Sequence, residues 1–231
     1  MASNKFRYGG RGLEGTQKIE IIPIGEAEAK GTYNTGHWKI ADATGRSVVL
    51  EITNKGERHI YENDLGVLTN SPDFPWNKAN LNNYINLHPG TVAPREFGGT
   101  DMFSFGASSA LLGLPGNFTP PSRFVRAFFF LHSLRQPADT YDAVTQAFHI
   151  LNAFDIPLGS EFAPDQKIPD IPSATQVTCV SDTTQPTLYY RTMYNSQIRK
   201  VDLAKIDFSS IPYGTYDLDE TPREKIKDRT F

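Results

Sequence analysis

Cysteine is almost missing from this chain: of 231 residues, only Cys179 is one. That excludes a disulfide within the chain and a zinc cluster built on cysteines. The five histidines (His37, His59, His88, His132 and His149) are scattered without metal-ligand spacing, so no metal or other cofactor is expected. No apolar run approaches the about 20 residues of a membrane-spanning helix. The amino terminus, MASNKFRYGGRGLEG, lacks an apolar signal segment, so a cytoplasmic location is the default expectation. There is no excess of positive charge either. The net charge is −3 and no basic stripe is visible, which removes the electrostatic case for nucleic acid. What remains is a balanced composition, 39% hydrophobic and 21% charged, that suits a globular protein with a real core.

The most informative stretch is residues 113–130, GLPGNFTPPSRFVRAFFF. It combines a Gly/Pro-rich loop, a double proline and a very apolar helix. Pro120 and Pro121 disfavour helix before them, and Ser122 is a good N-cap for a helix starting at Arg123. Phe124, Val125, Phe128 and Phe129 recur at helical spacing and predict a buried element over residues 122–134. Arg123 and Arg126 fall near its start, where the helix dipole disfavours cations. A cation fixed there suggests a site that needs positive charge.

Residues 1–36 read as a divergent or weakly ordered leader, with a short edge strand over 18–24. Alternation over 37–42 and 48–53, joined by Thr44-Gly45, predicts a β-hairpin. Short strands follow at 59–61 and 66–70. The latter ends in Asn70-Ser71-Pro72, which holds Asn70 at a strand end facing a cleft. Asp73 is a candidate N-cap for a helix running through residues 76–87, with Pro75 in its first turn. Residues 88–104 and 105–121 read as long loops, of the kind that are usually functional or mobile. Ala143, Val144, Ala147, Phe148 and Leu151 define a second helix starting near Asp139 or Thr140. A three-stranded meander follows over residues 175–203. This order predicts an α+β layered sandwich. Asn117-Phe118-Thr119 fits a glycosylation acceptor, a common chance match.

Several chemistries can be weighed on the residues alone. Cys179 sits mid-strand with no histidine nearby in sequence, so a buried structural cysteine is the better reading. Ser108, in Gly106-Ala107-Ser108, lacks the second glycine and the strand–turn–helix setting of a nucleophile elbow. Residues 113–116 lack the pattern of a phosphate loop. Asn70 and Arg123 are the stronger pair. An amide donor and a fixed cation with no acidic neighbour in sequence suit an oxyanion or a thiolate.

Residues 66–87 (GVLTNSPDFPWNKANLNNYINL), 105–130 (FGASSALLGLPGNFTPPSRFVRAFFF) and 147–160 (AFHILNAFDIPLGS) resemble the choloylglycine hydrolase family of conjugated bile salt hydrolases and penicillin V acylases. Residues 37–52 and 175–203 are similar to the same family, so the resemblance runs from about His37 to the C-terminus. It implies an N-terminal nucleophile hydrolase fold, a four-layer αββα sandwich. It also implies hydrolysis of linear amide C–N bonds by a terminal cysteine whose own amine is the base. By resemblance, Asn70 helps form the oxyanion site and Arg123 lies beside the nucleophile. No substrate-binding residues are assigned.

The family's starting segment, with its cysteine, arginine, aspartate and asparagine, has no counterpart here. Residues 37–231 are therefore expected to be the C-terminal region of such a domain. The fold should be incomplete at its N-terminal side, with the nucleophile absent and the chain inactive alone. The expected ligand is an amide with an apolar acyl group. A separate N-terminal segment and a homo-oligomer are the expected macromolecular partners. The alternatives are a non-catalytic remnant or ligand-binding module of the same fold, and a serine-type hydrolase using Ser108 or Ser3.

Overall fold

A computed structural model describes residues 5–8 (backbone), 36–41, 46–52, 57–167, 174–212, 214–215, 217–219 and 223–230. The edge strand expected over 18–24 and the turn at Thr44-Gly45 lie outside the described residues.

Period-two alternation builds the first sheet. β2 (Gly36–Ala41), β3 (Ser47–Ile52) and β4 (Arg58–Glu62) form an antiparallel meander, with Trp38 opposite Leu50 and Leu50 opposite Ile60. Its most buried face is not the more apolar one. Val49 and Glu51 of β3 are fully buried against the helices, while Ile60 on the opposite face is exposed. The second sheet has the order β1-β7-β8-β9. β1 (Lys5–Tyr8), inside the segment read as a leader, runs parallel to β7 (Val177–Asp182). β8 (Thr187–Thr192) and β9 (Asn195–Asp202) complete the predicted meander.

Among the described residues, three α-helices lie against these sheets. α1 (Phe74–Asn80) starts where predicted, because Asp73 accepts the Trp76 N–H at 2.9 Å, but the α-helical part stops early and continues as a 3₁₀ turn over Leu81–Tyr84. α2 (Pro120–His132) starts three residues before the expected point. Both prolines sit in its first turn, where a missing N–H costs nothing. Thr119, extended at ψ 149° because it precedes a proline, is the N-cap in place of Ser122. α3 (Thr140–Asn152) matches expectation, capped by Asp139, which accepts the Asp142 N–H at 2.8 Å.

Two clusters hold the layers together. Phe74, Phe124, Ala127, Ile150 and Phe154 pack with Val49 and Val67, and Phe124 meets Phe74 edge-on at 6.2 Å. Val144, Ala147, Phe148 and Leu151 of α3 pack on Val180 of β7.

Two further expectations change. Residues 66–70 join no ladder among the described residues, and Gly66 has a positive φ of 73°. They are pinned by side chains instead: Lys39 Nζ donates to the Gly66 carbonyl at 2.5 Å, and the Gly66 N–H donates to Asn63 Oδ1 at 3.0 Å. The loop 88–104 contains a small hairpin, β5 (Arg95–Phe97) with β6 (Thr100–Met102). Gly98 and Gly99 both have positive φ, at 59° and 76°, which suits the tight turn between them.

Candidate active site

The prolines that begin α2 also place its arginines. With the helix starting at Pro120, Arg123 lies one turn in, beside residues 66–70. Thr69 Oγ1 donates to the Pro120 carbonyl at 3.2 Å and ties the two segments together. Arg123 Nη2 then donates to Asn70 Oδ1 at 2.8 Å, and its Nε donates to the Phe118 carbonyl at 3.0 Å. The two residues singled out from sequence, 53 positions apart, are thus in direct contact.

That contact fixes the amide's orientation. A guanidinium has only donors, so it is the oxygen of Asn70 that must face it. The NH2 group of Asn70 lies on the other side of the amide, Asn70 is exposed, and among the described residues nothing accepts from its two donors, which leaves them to a ligand. Arg123 is 8% exposed and forms no ion pair among the described residues. Burial lowers its pKa, and the negative charge of Glu161 opposes that shift. The result is a fixed cation, bonded among the described residues only to neutral oxygens, against an outward-facing amide donor. Such a pair can stabilise a developing oxyanion or an anionic nucleophile.

Arg126 has a different role. It donates to the carbonyls of Pro115 at 2.7 Å and Asn117 at 2.6 Å, and its guanidinium lies 5.2 Å from the centre of the Phe154 ring. Burial and the charge of Arg123 both lower its pKa. It anchors the loop before α2 and so holds Arg123 in place.

Sequence reasoning missed Glu51. It is 0% exposed in the middle of β3. Its Oε1 accepts the Phe74 N–H at 2.9 Å and His37 Nδ1 at 2.7 Å, so it fixes the start of α1 immediately after Asn70-Ser71-Pro72. Asn77 adds a second clamp, donating to the Pro72 carbonyl at 2.8 Å. The available signal was a carboxylate sharing a strand face with Val49.

The other candidates fall away from this centre. Cys179 is half-buried, on the face of β7 opposite Thr178 and Val180, which are buried. The expectation of a buried cysteine is corrected accordingly, since α3 covers only the Thr178/Val180 face. Ser108 is exposed with φ 68° at the head of a 3₁₀ turn, with no preceding strand, so it forms no nucleophile elbow. Among the described residues no cluster of three or more histidine, cysteine, aspartate or glutamate side chains could hold a metal.

Comparison with known proteins bears on the same geometry. The model of linear amide C–N hydrolases, choloylglycine hydrolase family, matches residues 13–220. A bile salt hydrolase/transferase of Clostridium perfringens is 36% identical over 204 residues, covering 88% of this chain and 59% of that protein. One from Lactiplantibacillus plantarum is 36% identical over 188 residues, covering 81% of this chain and 56% of its relative. The chain thus spans little more than half the length of these relatives. A solved mutant of the conjugated bile acid hydrolase from Clostridium perfringens superposes with a TM-score of 0.69 at 33% identity, over 84% of this chain and 57% of that one. Penicillin V acylase from Agrobacterium tumefaciens matches at 23% identity with a TM-score of 0.55, over 74% of this chain and 46% of that one, a likeness of fold. The fold is that of the N-terminal nucleophile hydrolases, as expected from the sequence.

Proposed function

This chain belongs to the choloylglycine hydrolase family of linear amide C–N hydrolases, and from that premise we propose that it takes part in cleaving the amide between an apolar acyl group and a polar amine. Conjugated bile salts and penicillin V both have that form. The observation that carries the reading is the Arg123–Asn70 bond of 2.8 Å, which leaves the amide donors of Asn70 facing outward.

In the proposed reaction a thiolate attacks the amide carbonyl, forming a C–S bond. Asn70 stabilises the oxyanion that results, and the charge of Arg123 favours the thiolate form. The amine departs with a proton, and water then releases the acid and regenerates the thiol. Cys179 is not the nucleophile in this reading. It lies within β7, has no free α-amino group to act as its base, and belongs to another part of the fold. In this reading the thiol belongs to a cysteine other than Cys179.

The experiment compares the 231-residue chain with a form carrying a terminal cysteine segment. Both are assayed for amine release from taurine- and glycine-conjugated bile salts and from penicillin V. Turnover is expected only when the cysteine segment is present. Replacing Arg123 by Ala should then lower kcat/KM by about 100-fold or more, in line with loss of one preorganised charge-stabilising group. Turnover by the chain alone that survives thiol alkylation would sink the reading. No turnover in either form would favour a non-catalytic binding module.

A further inference from the structure

Next to the Asn70–Arg123 pair is a second arrangement that the amidase reading does not use. Glu51, His37 and Ser71 form a continuous line of contacts. Glu51 Oε1 lies 2.7 Å from His37 Nδ1, and His37 Nε2 lies 3.4 Å from Ser71 Oγ. The burial is graded in the same order: Glu51 is fully buried, the His37 side chain is 13% exposed, and Ser71 is exposed.

The contacts also fix the tautomer of the neutral imidazole. Oε1 already accepts the Phe74 N–H at 2.9 Å, so it faces Nδ1 as an acceptor and Nδ1 carries the proton. The lone pair of the ring is then on Nε2, which faces the Ser71 hydroxyl. An acceptor oriented by a buried carboxyl group, next to an exposed hydroxyl, is the arrangement of a nucleophile, base and orienting acid. Such arrangements are recognised by geometry and role and not by order in the chain. A separation of 3.4 Å is at the outer limit of a hydrogen bond, and such pairs are often loose before a substrate is bound. The neighbouring Asn70 supplies amide donors that point away from Arg123.

The geometry points to Ser71, His37 and Glu51 as a second nucleophilic site, a serine relay acting on short-chain carboxylic esters without any cysteine. Ser71 Oγ forms a bond to the ester carbonyl carbon while its proton passes to His37 Nε2. The tetrahedral intermediate expels the alcohol, which takes that proton. Water, deprotonated by His37, then attacks the acyl-serine, releases the carboxylic acid and restores the Ser71 hydroxyl. Glu51 holds the ring throughout. This site stands apart from the amidase reading, since turnover of a conjugated bile salt neither requires nor predicts it.

The test treats the protein with a fluorophosphonate and maps the adduct by peptide mass spectrometry, with p-nitrophenyl acetate hydrolysis measured in parallel. Far-UV circular dichroism checks that each variant is folded. The adduct is expected on Ser71 and should be absent in Ser71→Ala, which changes one exposed hydroxyl. His37→Gln should slow labelling of Ser71 and ester hydrolysis by about 100-fold, the size of a general-base contribution. Alkylation of Cys179 should change neither. A folded protein that gives no adduct on Ser71 would overturn the proposal. So would equal labelling rates in the wild type and His37→Gln, or ester hydrolysis unchanged by Ser71→Ala. In each case the Glu51–His37 pair would be only a clamp on the start of α1.

Discussion

In the proposed reading Asn70 has two functions that one substitution can separate. Its oxygen holds Arg123 at 2.8 Å, while its NH2 group is the outward donor. Asn70→Asp keeps an acceptor for the guanidinium and removes the donor. In the form of the protein that turns over amide substrate, this change should cut kcat by about 100- to 1000-fold, the loss typical of one oxyanion donor. The melting temperature should stay near that of wild type, because Asp pairs with Arg123. Equal losses of rate and stability would mean that Asn70 acts only as a structural link. Glu51 offers the complementary case. Glu51→Leu leaves the Phe74 N–H and His37 Nδ1 without their acceptor in a dry interior. Denaturant titration should show about 2–4 kcal/mol of lost stability, whereas Glu51→Gln, which keeps an acceptor oxygen, should lose less. The first residue pair could be read from sequence because prolines flank both members and restrict where they can point. Glu51 could not, because an alternating strand does not state which of its two faces is covered.

The helices were readable where apolar spacing and a cap agreed. α3 had both, a five-residue stripe and Asp139, and its start was placed correctly. Asp139→Ala should cost about 1 kcal/mol, read as a lowered thermal midpoint, since the Asp142 N–H loses its acceptor. α2 had the stripe but an ambiguous start, because Ser122 is a good cap by residue type. The backbone decided otherwise. A residue before proline is extended, so the cap falls on Thr119, and the prolines occupy positions whose N–H groups need no partner. This shift matters for the site, because it moves Arg126 out of the first turn and leaves Arg123 alone facing Asn70. Phe124, fully buried between Phe74 and the sheet, is the packing anchor of α2. Phe124→Ala should lose about 3–5 kcal/mol by transfer and cavity terms. The segment 66–70 is the opposite case: its apolar residues predict a strand, but it joins no ladder among the described residues, and the carbonyl and N–H of Gly66 are satisfied by Lys39 and Asn63.

The family, the β2–β3 hairpin, the helices and the meander could be read from a few long segments, but β1, the β5–β6 hairpin and the carboxyl-terminal tail could not. The tail is mixed in charge and has no period, and beyond the 3₁₀ turn at Leu203–Lys205 its described residues form no helix or strand. It is a strap across β8 and β9. The Tyr190 hydroxyl donates to the Leu218 carbonyl at 3.0 Å, and Thr192 Oγ1 donates to Asp219 Oδ2 at 2.6 Å. Arg199 pairs with Asp219 and lies 4.8 Å from the centre of the Tyr190 ring. Glu224 accepts the Ser196 N–H at 2.9 Å and its hydroxyl at 2.6 Å, while the Glu224 N–H donates to the Tyr194 carbonyl at 2.9 Å. Side-chain-to-backbone bonds across 28 residues leave no periodic trace in a sequence. They do leave a pH signature. The hydroxyl of Ser196, then its amide, hold the Glu224 carboxyl below its ordinary pKa. A depressed folded pKa means that the contact contributes fully above the ordinary glutamate range and is lost as pH falls through the folded value. Hydrogen-exchange protection of the Ser196 amide, taken relative to its intrinsic rate at each pH, should therefore be high at neutral pH and fall on acidification, before that of the amides of α2. Ser196→Ala should move that transition to higher pH by removing the hydroxyl that lowers the pKa. If the Ser196 amide and α2 instead lost protection together at every pH, the tail would be part of the global folding unit and not a separately releasable strap.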